Sequence, residues 1–185
     1  QMMEKVELKD QKPRWTDQEV KDLNGSWATV GKPETRERNI ITSLDLDSLK
    51  MEKHNHHLQE KYRRMEAEEV RFETFNTEDA EYLIVAYGSS ARIAQKSLAL
   101  AREKGIKVGL FRPITLYPFP AQALENLAPQ LKGILSVEMS AGQMIEDIKL
   151  ATKCTVNVEH FGRYGGIIHS PEEVLEALEQ KIIGG

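Results

Sequence analysis

Four short apolar runs, each closed by a helix-forming stretch, leave this chain few ways to fold. They are "YLIVAYG" at 82–88, "IKVGLF" at 106–111, "GILSVEM" at 133–139 and "CTVNVEHF" at 154–161. Each has the length and near-continuous apolar character of a strand covered on both faces. Between the first two lies "SSARIAQKSLALAREKG", which places Ala91, Ala94, Leu98 and Ala101 on one helical face and stops at Gly105. A short helix from Pro120 carries Leu124 and Leu127, and "GQMIEDIKLA" at 142–151 forms the next. The last begins at "SPEEVLEAL", where Ser170 caps, Pro171 takes the first turn and Glu173 completes a capping box. Strands alternating with helices call for an α/β fold, an open, mainly parallel sheet with helices on both faces.

Residues 1–75 have a different character. They are charged and lack strand rhythm, and they form an expected connector ahead of a domain at 76–185. A helix is expected from Leu44 to Val70, with Met51, Leu58, Tyr62 and Met65 close to one face, a narrow stripe that suits docking on a neighbour. His54, His56 and His57 lie on that helix. His54 and His57 could share a face, but no third ligand is spaced to join them, so they are taken as solvated or partly packed and no metal is assigned. The chain opens on Gln1 rather than Met, and the expectation is that it was cut from something longer.

The net charge is −4 and the longest basic run is the KYRR at 61–64, which argues against a nucleic-acid partner. No apolar stretch approaches the roughly 20 residues of a membrane span. Cys154 is the only cysteine, so no internal disulfide and no four-thiolate iron–sulfur site can form, and a cytoplasmic location is expected. Cys154 itself, at the start of a strand, is expected to be a small buried hydrophobe.

In an open parallel sheet, ligands and partners meet the loops at the carboxyl ends of the strands. In "YGSSAR", Ser89 follows Gly88 at a helix start. A phosphate could sit on the helix N–H groups there, but neither G-x-G-x-x-G nor a Walker pattern is present, and capping is the plainer reading. "RPITLYPFP" at 112–120 crowds Ile114, Leu116, Tyr117 and Phe119 among prolines that keep them out of regular structure, which suits a loop covered by another surface. Glu138 ends a strand just before Gly142 and Gln143, with no histidine or second carboxylate spaced to make an acid–base pair, so a structural or interface role is expected. Gly162, Gly165 and Gly166 around Arg163 permit either close backbone approach to a ligand or subunit, or a tight turn. Together these loops describe an interaction module better than an active site.

"VAYGSSARIAQKSLALAREKGIKVGLFRPITLYPFP", "VEMSAGQMIEDI" and "GRYGGIIHSPEEVLEAL" resemble the alpha subunit of 2-oxoacid:ferredoxin oxidoreductases. Within these, the likeness is greatest to the 2-oxoisovalerate (branched-chain) and 2-oxoglutarate enzymes. The resemblance covers about residues 76–185, the family's second domain, which is similar to the carboxy-terminal domain of transketolase. It extends into the connector through "ITSLDLDSLKMEKHNHHLQEKYRRMEAEEVRFE", and "QMMEKVEL" looks like the end of the family's first domain. It implies a complex that decarboxylates a 2-oxo acid on thiamine diphosphate with magnesium, passes electrons through iron–sulfur clusters to ferredoxin, and yields an acyl-CoA. These cofactors, and coenzyme A, would be held by the complex and none by this fragment. Its implied partners are the missing first domain of the alpha subunit, the beta and gamma/delta subunits and, through the complex, ferredoxin. By position, Arg112, Pro113, Thr115 and Pro118 match the family's loop after the second strand. Glu138, Gly142 and Gln143 match the next, and Gly162, Arg163, Gly165 and Gly166 the last. All are expected to meet neighbouring domains near the cofactor cleft, and none is assigned a catalytic step. An Asn is expected where Ser140 or Ala141 stands. Two other readings remain open: the matching domain of a transketolase or of a 2-oxo acid dehydrogenase beta subunit, and a free-standing protein-binding module.

Overall fold

The apolar runs of the second half form one sheet in the computed structural model, which describes residues 12–25, 34–35, 37–40 and 42–184. Contacts divide the chain into two compact units, Gln1–Leu58 and Gln59–Gly185. The first unit contains α1 (Asp17–Asn24), which opens with a capping box between Thr16 and Glu19 and buries no residue. Helix α2 (Ser48–Glu68) runs across the division. Its half-buried positions are Met51, Leu58, Tyr62 and Met65, the stripe expected from their spacing. It begins later than Leu44, because Asp47 accepts hydrogen bonds from the Leu49 and Lys50 amides and so acts as its cap.

The second unit holds a five-stranded sheet in the order β1-β3-β2-β4-β5. The strands are β1 (Phe72–Phe75), β2 (Tyr82–Ala86), β3 (Val108–Pro113), β4 (Gly133–Glu138) and β5 (Asn157–Gly162). The last four pair in parallel, as expected. Strand β1 is an addition: it lies antiparallel on the outer edge of β3, within a stretch that showed no strand rhythm in the sequence. Alternation along each strand divides the core in two. Ile84, Ala86, Leu110, Leu135 and Val137 face α3 (Gly88–Glu103) and α6 (Pro171–Leu178). Leu83, Val85, Phe111, Ile134 and Val158 face α4 (Ala121–Leu127) and α5 (Met144–Ala151). The result is three layers, with the apolar residues of β2, β3 and β4 buried between sheet and helix apart from the half-buried Tyr82, while Phe72 on the edge strand β1 stays exposed. A π-helical turn, Glu179–Ile183, continues α6.

Two local expectations are corrected. Cys154 is exposed and adopts a positive φ of 54°, one of two successive left-handed residues with Lys153 that turn the chain out of α5. The strand therefore starts three residues later, at Asn157. Ser89 is not a cap: α3 starts one residue earlier on Gly88, whose φ of 55° turns the chain into the helix, and the capping position is Tyr87, which makes no side-chain cap. Ser170 and Glu173, by contrast, form the expected capping box at α6.

Candidate functional site

The chain leaves β2 and β4, neighbours in the sheet, for helices on opposite faces, and this divergence marks the crevice where open α/β sheets receive ligands. Glu138, at the end of β4, organises that edge. The carboxylate has no exposed surface. Its Oε1 accepts from Ser136 Oγ at 2.9 Å and the Ile145 amide at 3.1 Å. Its Oε2 accepts from Ser140 Oγ and from the Gln143 and Met144 amides, each at 3.0 Å. The amides belong to the start of α5, where a negative charge also opposes the positive end of the helix. Burial pushes the carboxyl upward, but the hydrogen bonds from Gln143, Met144, Ser136 and Ser140 outweigh it and hold the group below its ordinary value. With its lone pairs engaged and no access to solvent, Glu138 is a fixed anchor for residues 139–145 rather than a base or nucleophile.

His160 comes to this carboxylate across the sheet. Ser136 pairs with His160 and Glu138 with Gly162, so all four lie on the α5 face. His160 Nε2 lies 3.2 Å from the Ser140 carbonyl, an acceptor for an N–H at that position. Its Nδ1 lies 3.6 Å from Glu138 Oε1, outside hydrogen-bond range. Spacing along the chain shows no histidine placed to pair with Glu138; the fold brings His160 beside it without forming such a hydrogen bond. The neighbour comes from the β4–β5 register, which spacing along the chain does not reveal. Gly162 makes room for it: a Cβ there would fall 2.3 Å from the Ser140 carbonyl oxygen and 2.4 Å from His160 Nε2. Gly142 has a φ of 104°, at the turn leading into α5.

Beyond β5, the Arg163 amide donates to the Glu138 carbonyl. Its guanidinium pairs with Glu173, the residue that also accepts the Ser170 amide in the α6 capping box. Gly165 and Gly166, at φ 64° and 87°, turn the loop in open space. Glu138, Gly142, Gln143, Gly162 and Arg163 therefore form one constellation. Ser89 lies exposed in the first turn of α3, beside the crevice.

Arg112, Pro113, Thr115 and Pro118 form a second group at the end of β3. Arg112 bridges to Glu73 on β1 at 2.8 Å. Thr115 Oγ1 accepts from the Arg71 amide and donates to the Pro118 carbonyl, and Arg71 O accepts from both the Ile114 and Thr115 amides. The loop is thus tied down through its backbone, with Pro113 and Pro118 buried and a cis Tyr117–Pro118 peptide. Its apolar side chains are not: Ile114, Leu116 and Tyr117 are exposed, although the Tyr62 ring meets Tyr117 edge-on at 6.3 Å. Met139 after β4 and Tyr164, Ile167 and Ile168 after β5 are exposed at the same end of the sheet. Such a set of apolar loops on a fixed backbone suits contact with another surface.

His54, His56 and His57 are exposed, and no group of three His, Cys, Asp or Glu among the described residues is arranged to hold a metal ion. No helix among them is long and apolar enough to cross a membrane.

Comparison with known proteins bears on the whole arrangement. Ketoisovalerate oxidoreductase subunit VorB of Methanothermobacter thermautotrophicus is 46% identical over 155 residues, which is 84% of this chain and 44% of that protein. 2-Oxoglutarate synthase subunit KorA of Methanocaldococcus jannaschii is 36% identical over 124 residues, 67% of this chain and 32% of that protein. The chain thus spans less than half the length of these relatives, both of them subunits of oxidoreductases or synthases acting on 2-oxo acids by name. In three dimensions, the 2-oxoglutarate:ferredoxin oxidoreductase of Magnetococcus marinus matches with a TM-score of 0.60 at 15% identity over 75% of this chain and 24% of that one. A split-gene transketolase matches at 0.52 and 16% identity over 62% of this chain and 41% of that one. Both likenesses carry the α/β fold. The family described as pyruvate:ferredoxin oxidoreductase core domain II matches residues 80–174, just over half the chain and every element that builds the sheet edge described above except β1 and the end of α6, and the chain belongs to that family.

Proposed function

We propose that this chain is the core-domain-II part of an alpha-type subunit of a 2-oxoacid:ferredoxin oxidoreductase. Its enzyme would convert a branched-chain 2-oxo acid, or 2-oxoglutarate, to an acyl-CoA while reducing ferredoxin. The observation that carries this reading is the 155-residue match to a ketoisovalerate oxidoreductase subunit, which runs beyond the α/β body into the connector. In this reading residues 1–75 lead from the subunit's first domain, and 76–185 form the transketolase-like body. The assembly works in the cytoplasm, with beta and gamma/delta subunits as partners.

The chain's own part in that enzyme is assembly and closure of the cofactor cleft. The loops after β3, β4 and β5 support it, because each has a hydrogen-bonded backbone and exposed apolar side chains. The residues present do not fit the redox groups of the enzyme class. One cysteine cannot supply the thiolates of an iron–sulfur cluster, and no metal-ligating group stands among the described residues. In this reading the iron–sulfur clusters belong to other parts of the complex, and thiamine diphosphate, magnesium and coenzyme A are likewise assigned there. No chemical step is assigned to this chain.

Changing Leu116 and Tyr117 to Ser tests the docking role. The double variant should keep the circular dichroism and unfolding midpoint of the parent but lose co-purification with partner subunits when expressed beside them. Undiminished assembly would overturn the assignment of this loop.

A further inference from the structure

The sequence contains a single Asn-Gly step, Asn24–Gly25, and it falls where helix α1 ends. Every other asparagine precedes a larger residue: Asn39 an Ile, Asn55 a His, Asn76 a Thr, Asn126 a Leu and Asn157 a Val. A glycine on the carboxyl side has no Cβ, so the path from its backbone nitrogen to the asparagine side-chain carbon is unobstructed. Asn24 and Gly25 are both exposed. The closed helix withholds that nitrogen. Gly25 has helical φ and ψ of −55° and −33°, and its N–H donates to the Lys21 carbonyl at 2.7 Å. Side chains of a helix lean towards its N-terminus, away from the amide that follows. Little holds this last turn shut. Helix α1 is eight residues long and buries none of them, and Val20 and Leu23 stand exposed. A helix of that length without packing is marginal in water. Its closure rests on the Thr16–Glu19 capping box and on the side-chain hydrogen bond from Gln18 to Asp22.

We propose that Asn24 is a site of spontaneous covalent modification, converted to aspartate and isoaspartate through a succinimide at a rate set by opening of the last turn of α1. In the opened turn the Gly25 amide nitrogen attacks the side-chain carbonyl carbon of Asn24. The bond from that carbon to the NH₂ group breaks, and ammonia leaves with the proton that the Gly25 amide gives up. One water then opens the five-membered imide at either carbonyl. Opening at the side-chain carbonyl gives isoaspartate's alternative, ordinary aspartate, when the Gly25 nitrogen leaves that carbon; opening at the backbone carbonyl leaves the main chain running through the side chain, as isoaspartate. Water is the only co-reactant. Either product places a carboxylate at the C-terminal end of α1, where it opposes the helix dipole. The isoaspartyl link also adds an atom to the main chain, out of step with the repeat of the helix, so the closing turn of α1 cannot re-form. This inference is independent of the function proposed above.

The test is peptide mapping by mass spectrometry of the whole chain incubated at pH 8, native and in denaturant, with fragmentation that distinguishes isoaspartate from aspartate. The mass gain of amide-to-acid conversion is expected at Asn24 before it appears at Asn39, Asn55, Asn76, Asn126 or Asn157. The native chain should convert more slowly than the denatured one. Thr16→Ala removes the cap, and should speed native conversion by about two- to fivefold while leaving the rate in denaturant unchanged. Conversion no faster at Asn24 than at the other asparagines overturns the site. Equal rates in the native and denatured chains, or a native rate that Thr16→Ala leaves unaltered, overturn the control by α1.

Discussion

Burying a carboxylate costs several kcal/mol unless hydrogen bonds replace its water, and the replacements around Glu138 come from two serines and three amides of one short segment. Glu138→Gln keeps the shape but turns an amide NH₂ towards N–H and O–H donors, and should lower the unfolding free energy by about 2–3 kcal/mol at neutral pH. The sign with pH follows from the lowered pKa. The stabilisation is complete above the ordinary carboxyl value of 4.5 and is lost as the pH falls through the lower folded value, so the gap between parent and variant should close in acid. Denaturant unfolding at pH 7 and pH 3.5 checks both, and a gap that stays constant would contradict the account. Gly162→Ala drives a methyl group into a backbone carbonyl and the His160 ring, and about 1–3 kcal/mol should be lost in the same measurement. Part of this was visible in the sequence. Ser136 and Glu138, two apart within the apolar run "GILSVEM", already share a strand face. His160 was not, because its place depends on which strand lies beside β4 and in what register.

Capping separates elements that the sequence discloses from those that it hides. The boxes at Thr16–Glu19 and Ser170–Glu173 are both formed, yet they support different things. Helix α6 buries Val174, Leu175, Ala177 and Leu178, so Ser170→Ala should cost the whole domain about 1 kcal/mol, read as a lower unfolding midpoint. Helix α1 buries nothing, so Thr16→Ala should reduce the helical chemical shifts of residues 17–24 and leave the unfolding of the sheet unchanged. The four parallel strands were legible because covered strands must be almost wholly apolar. Strand β1 was not. "FETF" is four residues with its aromatic residues three apart, and it becomes a strand through its pairing with β3 and the stacking of Phe72 on Phe111. Cys154 misled for a related reason: its place at the head of an apolar run signals a strand, but a left-handed turn is needed first to bring the chain out of α5.

At the scale of the whole molecule, the four parallel strands follow from the alternation of strands and helices, while the proposed function rests on a likeness in sequence and on the apolar side chains left uncovered. The open sheet buries most of its apolar strand residues on both faces and leaves Ile114, Leu116, Tyr117, Met139, Tyr164, Ile167 and Ile168 exposed on the loops at one end. That arrangement supports the proposed docking role, in keeping with polar residues whose spacing offers no catalytic pair. The most direct measurement of the central claim is complementation. A branched-chain 2-oxo acid oxidoreductase preparation whose alpha subunit lacks its second core domain would be supplied with this chain, and 2-oxo acid-dependent ferredoxin reduction with coenzyme A would be followed. The account predicts no turnover by either component alone and restored turnover when they are combined, abolished by the Leu116→Ser, Tyr117→Ser double change. Turnover by this chain alone, or none from the combination despite stable association, would contradict it.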